Sequence, residues 1–389
     1  MQVKQVYDIL NEATEEILGK DVIVKEDLSN VVDIGKQFEN LENGYDNYVR
    51  KIHDTIGRIV FVNRVKSSRV PSVIRDGWEY GAILEKIRVS MPEARVNESW
   101  RLENNASYDP NVFYAPDISV KFYNKRVTFE IAMSFTELQI KSAFNNATQL
   151  NALYSAIETA ILNAMTKNLD ELVKRTMNNF IAETVYSEYP NGASTYNASS
   201  GVRAVNLLYL YNTQYGKSLT AANALSDPDF IRFASYKMGL TLDRMSEWSV
   251  LFNVGGTEKF TPADRRRFVL LSEFKRAAGA YLYDATGQFN TDDILLPESE
   301  TVTCWQGTGT DYGFGSTSKI HVTTADGHDV EISGVLGFAF DEDALGVCNE
   351  NRRVKTDINN VAEFWTERHK FDAGYWNDFN ENGVVFFVA

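Results

Sequence analysis

Histidine has the widest chemistry of any side chain in this sequence, because it binds metals and acts as an acid or a base. The four histidines are scattered, at positions 53, 321, 328 and 369. His321 and His328 are seven residues apart in a segment with strand periodicity, which places them on opposite faces of a strand. Their spacing therefore does not predict a metal site, and surface positions are the preferred interpretation.

The two cysteines, Cys304 and Cys348, do not belong to a CxxC pair. A nucleophilic thiol needs a base placed beside it, and the sequence shows none. We therefore predict that both cysteines are buried apolar residues. Two cysteines are also too few for a disulfide framework, so a reduced, intracellular origin fits.

Two glycine-rich segments resemble nucleotide-binding loops only superficially. The segment at 255–259 (GGTEK) lacks the GxxxxGK[ST] spacing of a phosphate loop, and a hairpin or strand-end turn is the better interpretation. The segment at 307–309 (GTG) is not followed by a helical pattern, so the dinucleotide fingerprint fails as well.

Clusters of charged residues could also form a functional site. The carboxylates at 341–343 (DED) and between 284 and 293 could bind Ca²⁺, but neither group fits the EF-hand loop, and we predict solvated acidic loops. The run at 264–267 (DRRR) favours a salt-bridging interface over a nucleic-acid patch. We therefore predict no catalytic, cofactor-binding or metal-binding residues, and no cofactor.

The composition is that of a globular protein large enough for two packed domains. The chain has 389 residues, of which 44% are hydrophobic and 24% charged. No run of about 18 apolar residues occurs, so no membrane span is predicted, and the first 20 residues lack the apolar run of a signal peptide. The net charge of −14 argues against binding nucleic acid by neutralising phosphates.

A single long helix, predicted over 145–186, organises the rest of the chain. No glycine or proline occurs from Asn145 to Tyr189. The large apolar side chains follow one another at steps of three or four, the spacing of one helix face; with one threonine they are Leu150, Leu153, Ile157, Ile161, Met165, Leu169, Leu172, Thr176 and Phe180.

Ahead of this helix, residues 67–134 show the period of two that indicates β-strands. Apolar residues alternate with polar ones on both sides of a polar stretch at 95–109; they are Ile83, Ile87, Val89, then Ile118, Val120, Phe122, Val127, Phe129, Ile131 and Met133. The pattern predicts an extended β-hairpin. Because so long a hairpin is marginal alone in water, it lies either on its own domain or on a neighbouring subunit.

Capping patterns predict several shorter helices. Ser134 and Glu137 form a capping box that opens a short helix to Phe144. Asp227-Pro228 opens a helix over 228–247, and Thr261-Pro262 opens another through Arg276. The remaining patterns predict helices over 4–18, 33–45 and 202–215, and strands over 248–253, within 280–345, and over 363–375 and 383–389.

This order of elements, an α+β chain with arm, hairpin, long helix, mixed region and returning strands, resembles the major capsid proteins of tailed bacteriophages, which share the Hong-Kong-ninety-seven-like coat fold. The resemblance implies an N-terminal arm and the start of a peripheral domain (1–66), and an extended β-hairpin loop (67–134). It further implies a peripheral domain with the spine helix at 145–186 (135–201), an inserted axial domain (202–345) and C-terminal peripheral strands (346–389). The ending FWTERHKFDAGYWNDFNENGVVFFVA is similar to the closing strands of coat proteins from phages of Gram-positive bacteria.

The resemblance implies a non-enzymatic subunit that self-assembles as hexamers and pentamers into the icosahedral shell around a double-stranded DNA genome. The expected location is the virion capsid, assembled in the host bacterial cytoplasm. Only 66 residues precede the hairpin, which leaves no room for a built-in scaffolding segment, so we expect a separate scaffolding protein. Portal and capsid-decoration proteins are the other expected partners, with DNA enclosed without specific binding and no membrane contact.

Two alternatives stay open at this point. An encapsulin-like cargo compartment shares the same fold, and a cargo gene beside this one would favour it. A soluble acidic α+β enzyme, such as a glycan hydrolase that uses paired carboxylates, has its ingredients among the 53 Asp and Glu residues. The sequence singles out no such pair of carboxylates.

Overall fold

The computed structural model describes residues 14, 70–75, 84–92, 94–95, 109, 111–136, 147–284, 296, 298–307, 313–324, 326–359, 361–362 and 364–389. The predicted N-terminal helices, apart from Thr14, and most of the polar stretch at 95–109 lie outside these residues. The described part contains runs of strands and runs of helices, in agreement with the α+β prediction. No helix in this part of the chain is long and apolar enough to cross a membrane.

The described chain contains helices and strands that we number in order. The helices are α1 (Ala147–Glu188), α2 (Ala193–Tyr196), α3 (Leu207–Tyr215), α4 (Ala221–Ala224), α5 (Pro228–Arg244), α6 (Ser272–Asp284) and α7 (Phe314–Thr317). The strands are β1 (Ile74–Arg75), β2 (Leu84–Val89), β3 (Ile118–Tyr123), β4 (Arg126–Thr136), β5 (Ala204–Asn206), β6 (Arg266–Leu271), β7 (Glu300–Val302), β8 (Ile320–Thr323), β9 (Asp329–Ile332), β10 (Val335–Asp341), β11 (Leu345–Asn359), β12 (Phe364–Asn377) and β13 (Gly383–Phe387).

Helix α1 confirms the predicted long helix, with both ends two residues later than expected. Its 42 residues span roughly 63 Å at 1.5 Å per residue. The predicted apolar stripe is buried from Ile161 through Phe180, and Thr176 within it donates its hydroxyl hydrogen bond to the carbonyl of Leu172 at 2.8 Å. The chain turns away shortly after the helix at Gly192, which has a φ of 65°.

A five-stranded sheet with the order β5-β13-β10-β6-β7 lies against this helix. Its strands are covered on both faces, which explains why they read as continuous apolar runs. In β6, Val269 and Leu271 pack in the core cluster that contains α1, whereas Phe268 and Leu270 pack with α3, α5 and α6. Strand β13 lies in the interior of the sheet, parallel to β5 and antiparallel to β10.

A second, four-stranded sheet has the order β1-β11-β12-β4. Strand β4 pairs with β12 along its whole length, from Arg126 opposite Gly374 to Thr136 opposite Phe364. The predicted return run at 118–133 is therefore divided between two structures. Its first part, β3, pairs with β2 in a separate two-stranded hairpin, and its second part, β4, joins this sheet.

The predicted helix start at Ser134 is wrong. Ser134 lies in β4, and its hydroxyl is 2.8 Å from that of Thr366 on β12. The ladder to β12 overrides the capping signal, because pairing satisfies the backbone groups that a helix would otherwise satisfy. The rest of that predicted helix, 137–144, lies outside the described residues.

The predicted helix from Thr261 to Arg276 is wrong in its first half. Residues 266–271 form strand β6, and helix α6 begins only at Ser272. Four consecutive apolar residues, 268–271, suit a strand buried on both faces, and the Thr261 hydroxyl donates to the carboxylate of Asp341 at 2.9 Å. The predicted strand at 248–253 is reduced to one bridge, between Ser249 and Lys259.

The other helix predictions are closer to the structure. Asp227 caps α5 as predicted, accepting hydrogen bonds from the N–H groups of Asp229 and Phe230 at 2.9 and 3.0 Å. The segment at 202–215 contains the short strand β5 before helix α3. The five-stranded sheet draws strands from 202–345 and from 346–389, and the division of the chain into named domains stays a prediction.

Candidate interaction surface

The hairpin of β2 and β3 has an exposed apolar face. In the antiparallel register Ile87 lies opposite Val120 and Val89 opposite Ile118. Ile87 and Phe122 keep 66% and 65% of their surface exposed, and Val89, Ile118 and Val120 are exposed as well. We call these five residues the apolar hairpin face. Exposed Met91, Val112, Phe113 and Tyr114 continue its apolar character along the flanking chain.

The opposite face of the hairpin is basic and lies on the chain's own body. Lys86 and Lys121 face each other across the ladder, and both donate to the carboxylate of Asp378, at 3.3 and 3.2 Å. Lys86 also donates to the carbonyl of Asp343, and Arg88 donates to that of Asn380 at 3.2 Å. These contacts, which we call the polar anchor, fix the hairpin to the turn between β12 and β13 and to the loop between β10 and β11.

The carboxylate of Asp378 is the centre of the polar anchor. Its side chain is only 5% exposed, and burial by itself would raise the pKa of the carboxyl group. The ammonium groups of Lys86 and Lys121, together with the N–H of Asn380, outweigh burial and hold the pKa of Asp378 below its ordinary value. Burial, and then the Asp378 charge, raise the pKa of the neighbouring Tyr123 hydroxyl.

The hairpin is therefore oriented with its charges inward and its apolar side chains outward. Water-exposed apolar surface is unfavourable, and contiguous patches of it mark interfaces in folded proteins. What the arrangement can do is bind another apolar surface.

The histidines and cysteines in the described part of the chain do not converge on a site. His321 Nε2 is 2.7 Å from the Asp329 carboxylate in the β8–β9 hairpin, whereas the ring of His328 stacks on Tyr186 at 4.3 Å. Cys304 and Cys348 are both buried and unbridged, as predicted. The described residues contain no group of His, Cys, Asp and Glu that could hold a metal ion.

The acidic triplet at 341–343 and the basic run at 264–267 lie beside each other. Arg265 pairs with Asp343, and Arg267 pairs with Glu342 at 2.9 Å, so the salt-bridging interpretation of the run is confirmed within the chain. The prediction of a solvated acidic loop at 341–343 is wrong for Asp341. That side chain is buried, and burial raises the pKa of its carboxyl group despite hydrogen bonds from the Asp343 N–H and the Thr261 hydroxyl.

The glycine pair at 255–256 forms a turn, as predicted. Gly256 has a φ of 63°, and the backbone groups of Ser249 and Lys259 pair across the base of the loop. The Gly255 N–H donates to the carbonyl of Phe379 at 2.8 Å, so this turn lies against the segment that also holds the hairpin.

Sequence reasoning missed the polar anchor. The alternation of charged and apolar residues in β2 is visible in the sequence, but it does not say which face is turned inward. The partner, Asp378, lies 292 residues from Lys86. The sequence did contain two signals. Basic residues occupy alternate positions of β2, and an acidic turn occurs near the C-terminal end of the chain.

A sequence model of one protein family, described as Phi29-like phage major capsid protein, matches residues 8–387. Among curated proteins no relative matches. The fold is similar to several solved structures of low sequence identity. One, described as the capsid structure of Staphylococcus phage Andhra, has a TM-score of 0.45 and 9% identity, covering 82% of this chain and 83% of that chain.

Two further solved structures are similar at the same level. One is described as the structure of head fiber and inner core protein gp22 of native bacteriophage P68, with a TM-score of 0.49, 12% identity, and coverage of 83% of this chain and 85% of that chain. The other is described as the Cyanophage Pam1 capsid asymmetric unit, with a TM-score of 0.44, 13% identity, and coverage of 84% and 93%.

Proposed function

Because this chain belongs to the Phi29-like phage major capsid protein family, it is a structural component of a phage capsid, and we propose that it self-assembles as hexamers and pentamers into an icosahedral shell. The shell encloses a double-stranded DNA genome. Family membership confirms the predicted phage coat protein and its Hong-Kong-ninety-seven-like α+β fold. The mode of assembly is the part that we propose.

The observation that carries the proposal is the outward-facing apolar hairpin face. A monomeric protein would gain free energy by turning Ile87, Val120 and Phe122 inward. Here the inward positions are taken by Lys86 and Lys121, which are bound to Asp378. A subunit that is stabilised by shared interfaces accounts for this orientation, since the apolar face is then covered by a neighbour.

The proposal assigns roles to the regions of the chain. Residues 67–134 are the extended loop that reaches a neighbouring subunit, and α1 is the spine helix of a peripheral domain. The axial domain lies within 202–345, followed by peripheral strands from 346 onward. The agreement between the predicted and observed bounds of α1 supports this assignment.

The proposed partners follow from the role. A separate scaffolding protein directs assembly in the host bacterial cytoplasm, and portal and decoration proteins complete the particle. With a net charge of −14, the subunit encloses DNA without specific binding. We propose no catalytic activity for the chain.

Electron microscopy with size-exclusion chromatography tests the proposal. The recombinant protein is examined alone and together with the product of any neighbouring scaffold gene. We expect shells, tubes, or rings of six and five subunits. A species of 44.0 kDa that stays monomeric even with the scaffold present would contradict self-assembly.

Two matched variants connect assembly to the hairpin. Val120→Asp places a charge on the apolar hairpin face, and we expect it to abolish shells while leaving the monomer folded. Val361→Asp changes a residue that is 97% exposed, at the turn between β11 and β12, and we expect it to assemble normally. Equal assembly of both variants would contradict a role of the apolar hairpin face in assembly.

A further inference from the structure

A second exposed apolar patch lies on the loop between α5 and β6. Its members are Trp248, Val250, Leu251 and Phe260, which we call the aromatic loop patch. Trp248 and Leu251 are 51% and 55% exposed, and the rings of Trp248 and Phe260 lie 4.5 Å apart. Contiguous exposed apolar patches mark interaction sites, and tryptophan is among the residue types enriched at the energetic centre of an interface.

The loop that carries the patch is rigidly held from below. Buried Asn253 donates to the carbonyl of Thr257 at 2.6 Å and to the side chain of Asn382 at 3.2 Å. Asn382 in turn donates to the Thr261 hydroxyl at 3.1 Å. A buried network with satisfied partners fixes one conformation, so the patch is presented without the entropic cost of ordering a mobile loop.

The loop and the hairpin are attached to the same turn. Thr257 donates to the carbonyl of Asn380 at 2.9 Å, and Lys259 donates to the Glu381 carboxylate at 2.9 Å. Arg88 of the hairpin reaches the same carboxylate at 3.9 Å and the same carbonyl at 3.2 Å. The loop is therefore on the side toward which the basic face of the hairpin points.

This placement prevents a chain from covering its own aromatic loop patch with its own apolar hairpin face. Arg88, which points toward the turn, alternates in β2 with Ile87 and Val89, and successive side chains of a strand point to opposite faces. The apolar hairpin face is thus directed away from the turn to which the loop is bound. A hairpin that covers the patch has to come from a second copy.

We propose that the aromatic loop patch of one subunit receives the apolar hairpin face of a neighbouring subunit. The inference rests on the proposed function and specifies the partner of the hairpin. Of the 18 exposed large apolar residues in the described part of the chain, nine lie between 87 and 122 and four between 248 and 260, so these segments hold most of the apolar surface available for docking. Two different patches in contact make a head-to-tail interface, which forms a ring when the rotation between successive subunits closes.

Cysteine crosslinking in assembled particles tests the contact. Two differently tagged chains, one carrying Val120→Cys and the other Leu251→Cys, are co-assembled and treated with a short bifunctional maleimide. Cysteine keeps the apolar character of both positions, and the native Cys304 and Cys348 are buried. We expect a covalent dimer that contains both tags.

The matched control replaces Val120→Cys by Val361→Cys, which lies at an exposed turn outside both patches. Particles that form without a 120–251 product above the level of the 361–251 control would overturn the inference and leave the proposed function intact. A wild-type chain that never assembles would overturn the proposed function, and the inference with it.

The yield of shells from a variant with a charge on the loop provides a second test. We expect Leu251→Asp to lower the yield of shells by at least about tenfold, because truncated or charged contacts at the centre of an interface weaken association by that much or more. Its thermal unfolding midpoint should match that of Val361→Asp. An undiminished yield of shells would contradict the proposed contact.

Discussion

The ammonium group of Lys86 lies 3.3 Å from the carboxylate of Asp378, although the two residues are 292 positions apart in the chain. This contact joins the middle of a two-stranded hairpin to the turn that precedes β13. It fixes the orientation of the hairpin, because the side chains that alternate with Lys86 are then directed outward.

Removing the Asp378 carboxylate should weaken the fold. Asp378→Ala removes the mostly buried carboxylate that Lys86 and Lys121 share, and we expect a loss of roughly 2–3 kcal/mol in the free energy of unfolding. Urea denaturation of the monomer measures it. As the control, Asp243→Ala removes an exposed carboxylate 4.0 Å from Arg266, and it should cost about 0–1 kcal/mol. Equal losses in the two variants would contradict a special role for Asp378.

The free energy of unfolding should depend on pH through the titration of Asp378. Its pKa is lowered in the folded state relative to the ordinary value of 3.8. The stabilisation from its charge is therefore fully present above pH 3.8 and is lost as the pH falls through the lower, folded pKa. We expect the wild type to lose stability more steeply than Asp378→Asn below pH 3.8, as measured by thermal unfolding across acidic buffers. Parallel curves for the two proteins would disprove this linkage.

Two phenylalanines in the hairpin region should respond oppositely to replacement by serine. Phe122→Ser removes an exposed ring of the apolar hairpin face, so the free energy of unfolding should change by no more than about 0.5 kcal/mol while assembly is lost. Phe129→Ser removes a ring on β4 that stacks on buried Phe371 at 5.1 Å, and it should cost about 3 kcal/mol. Chemical denaturation together with electron microscopy separates the two effects. A strongly destabilised Phe122→Ser would show that this ring is buried in the monomer.

Two glycine-to-alanine variants test backbone constraints, one beside β10 and one inside helix α5. Gly334 has a φ of 77°, and a Cβ there would lie 1.9 Å from the carbonyl oxygen of Val388. Gly334→Ala should therefore destabilise the monomer by more than about 2 kcal/mol. Gly239 lies inside helix α5 with nothing within 4 Å of such a Cβ, so Gly239→Ala should stabilise by up to about 1 kcal/mol. Differential scanning calorimetry compares them, and a Gly334→Ala protein as stable as the wild type would contradict the close approach.

The long helix could be predicted almost to its ends, because a sustained step of three or four residues between apolar side chains has no other regular interpretation. Strand β6 could not. Its apolar run follows a threonine and a proline that imitate a helix start, and only burial between β10 and β7 selects the extended form. Pairing with distant strands therefore selects the extended conformation of β6, as it does at Ser134 in β4.

The candidate surface was predicted in outline and not in orientation. The period of two in residues 83–89 and 118–122 indicated a hairpin that needs a surface to lie on, and the β2–β3 ladder is present. Whether the apolar or the basic face turns inward depends on what lies beneath. What lies beneath is the carboxylate of Asp378. Because this residue is 292 positions from Lys86, no local sequence pattern reveals the contact. The aromatic loop patch was not predicted either, because residues 248–253 have the pattern of a strand and the hydrogen-bond network at Asn253 is not visible in the sequence.

The position of β13 determines when the five-stranded sheet can be completed during translation. Strand β5 pairs only with β13 among the described strands, and β10 needs β13 along one edge. Residues 204–206 leave the ribosome long before residues 383–387, so β5 waits for a partner that is synthesised nearly 180 residues later. A chain interrupted before Asp378 has neither β13 to complete the sheet nor the turn at 378–382 that holds both the hairpin and the loop. We therefore expect incomplete translation products to be excluded from the proposed shell.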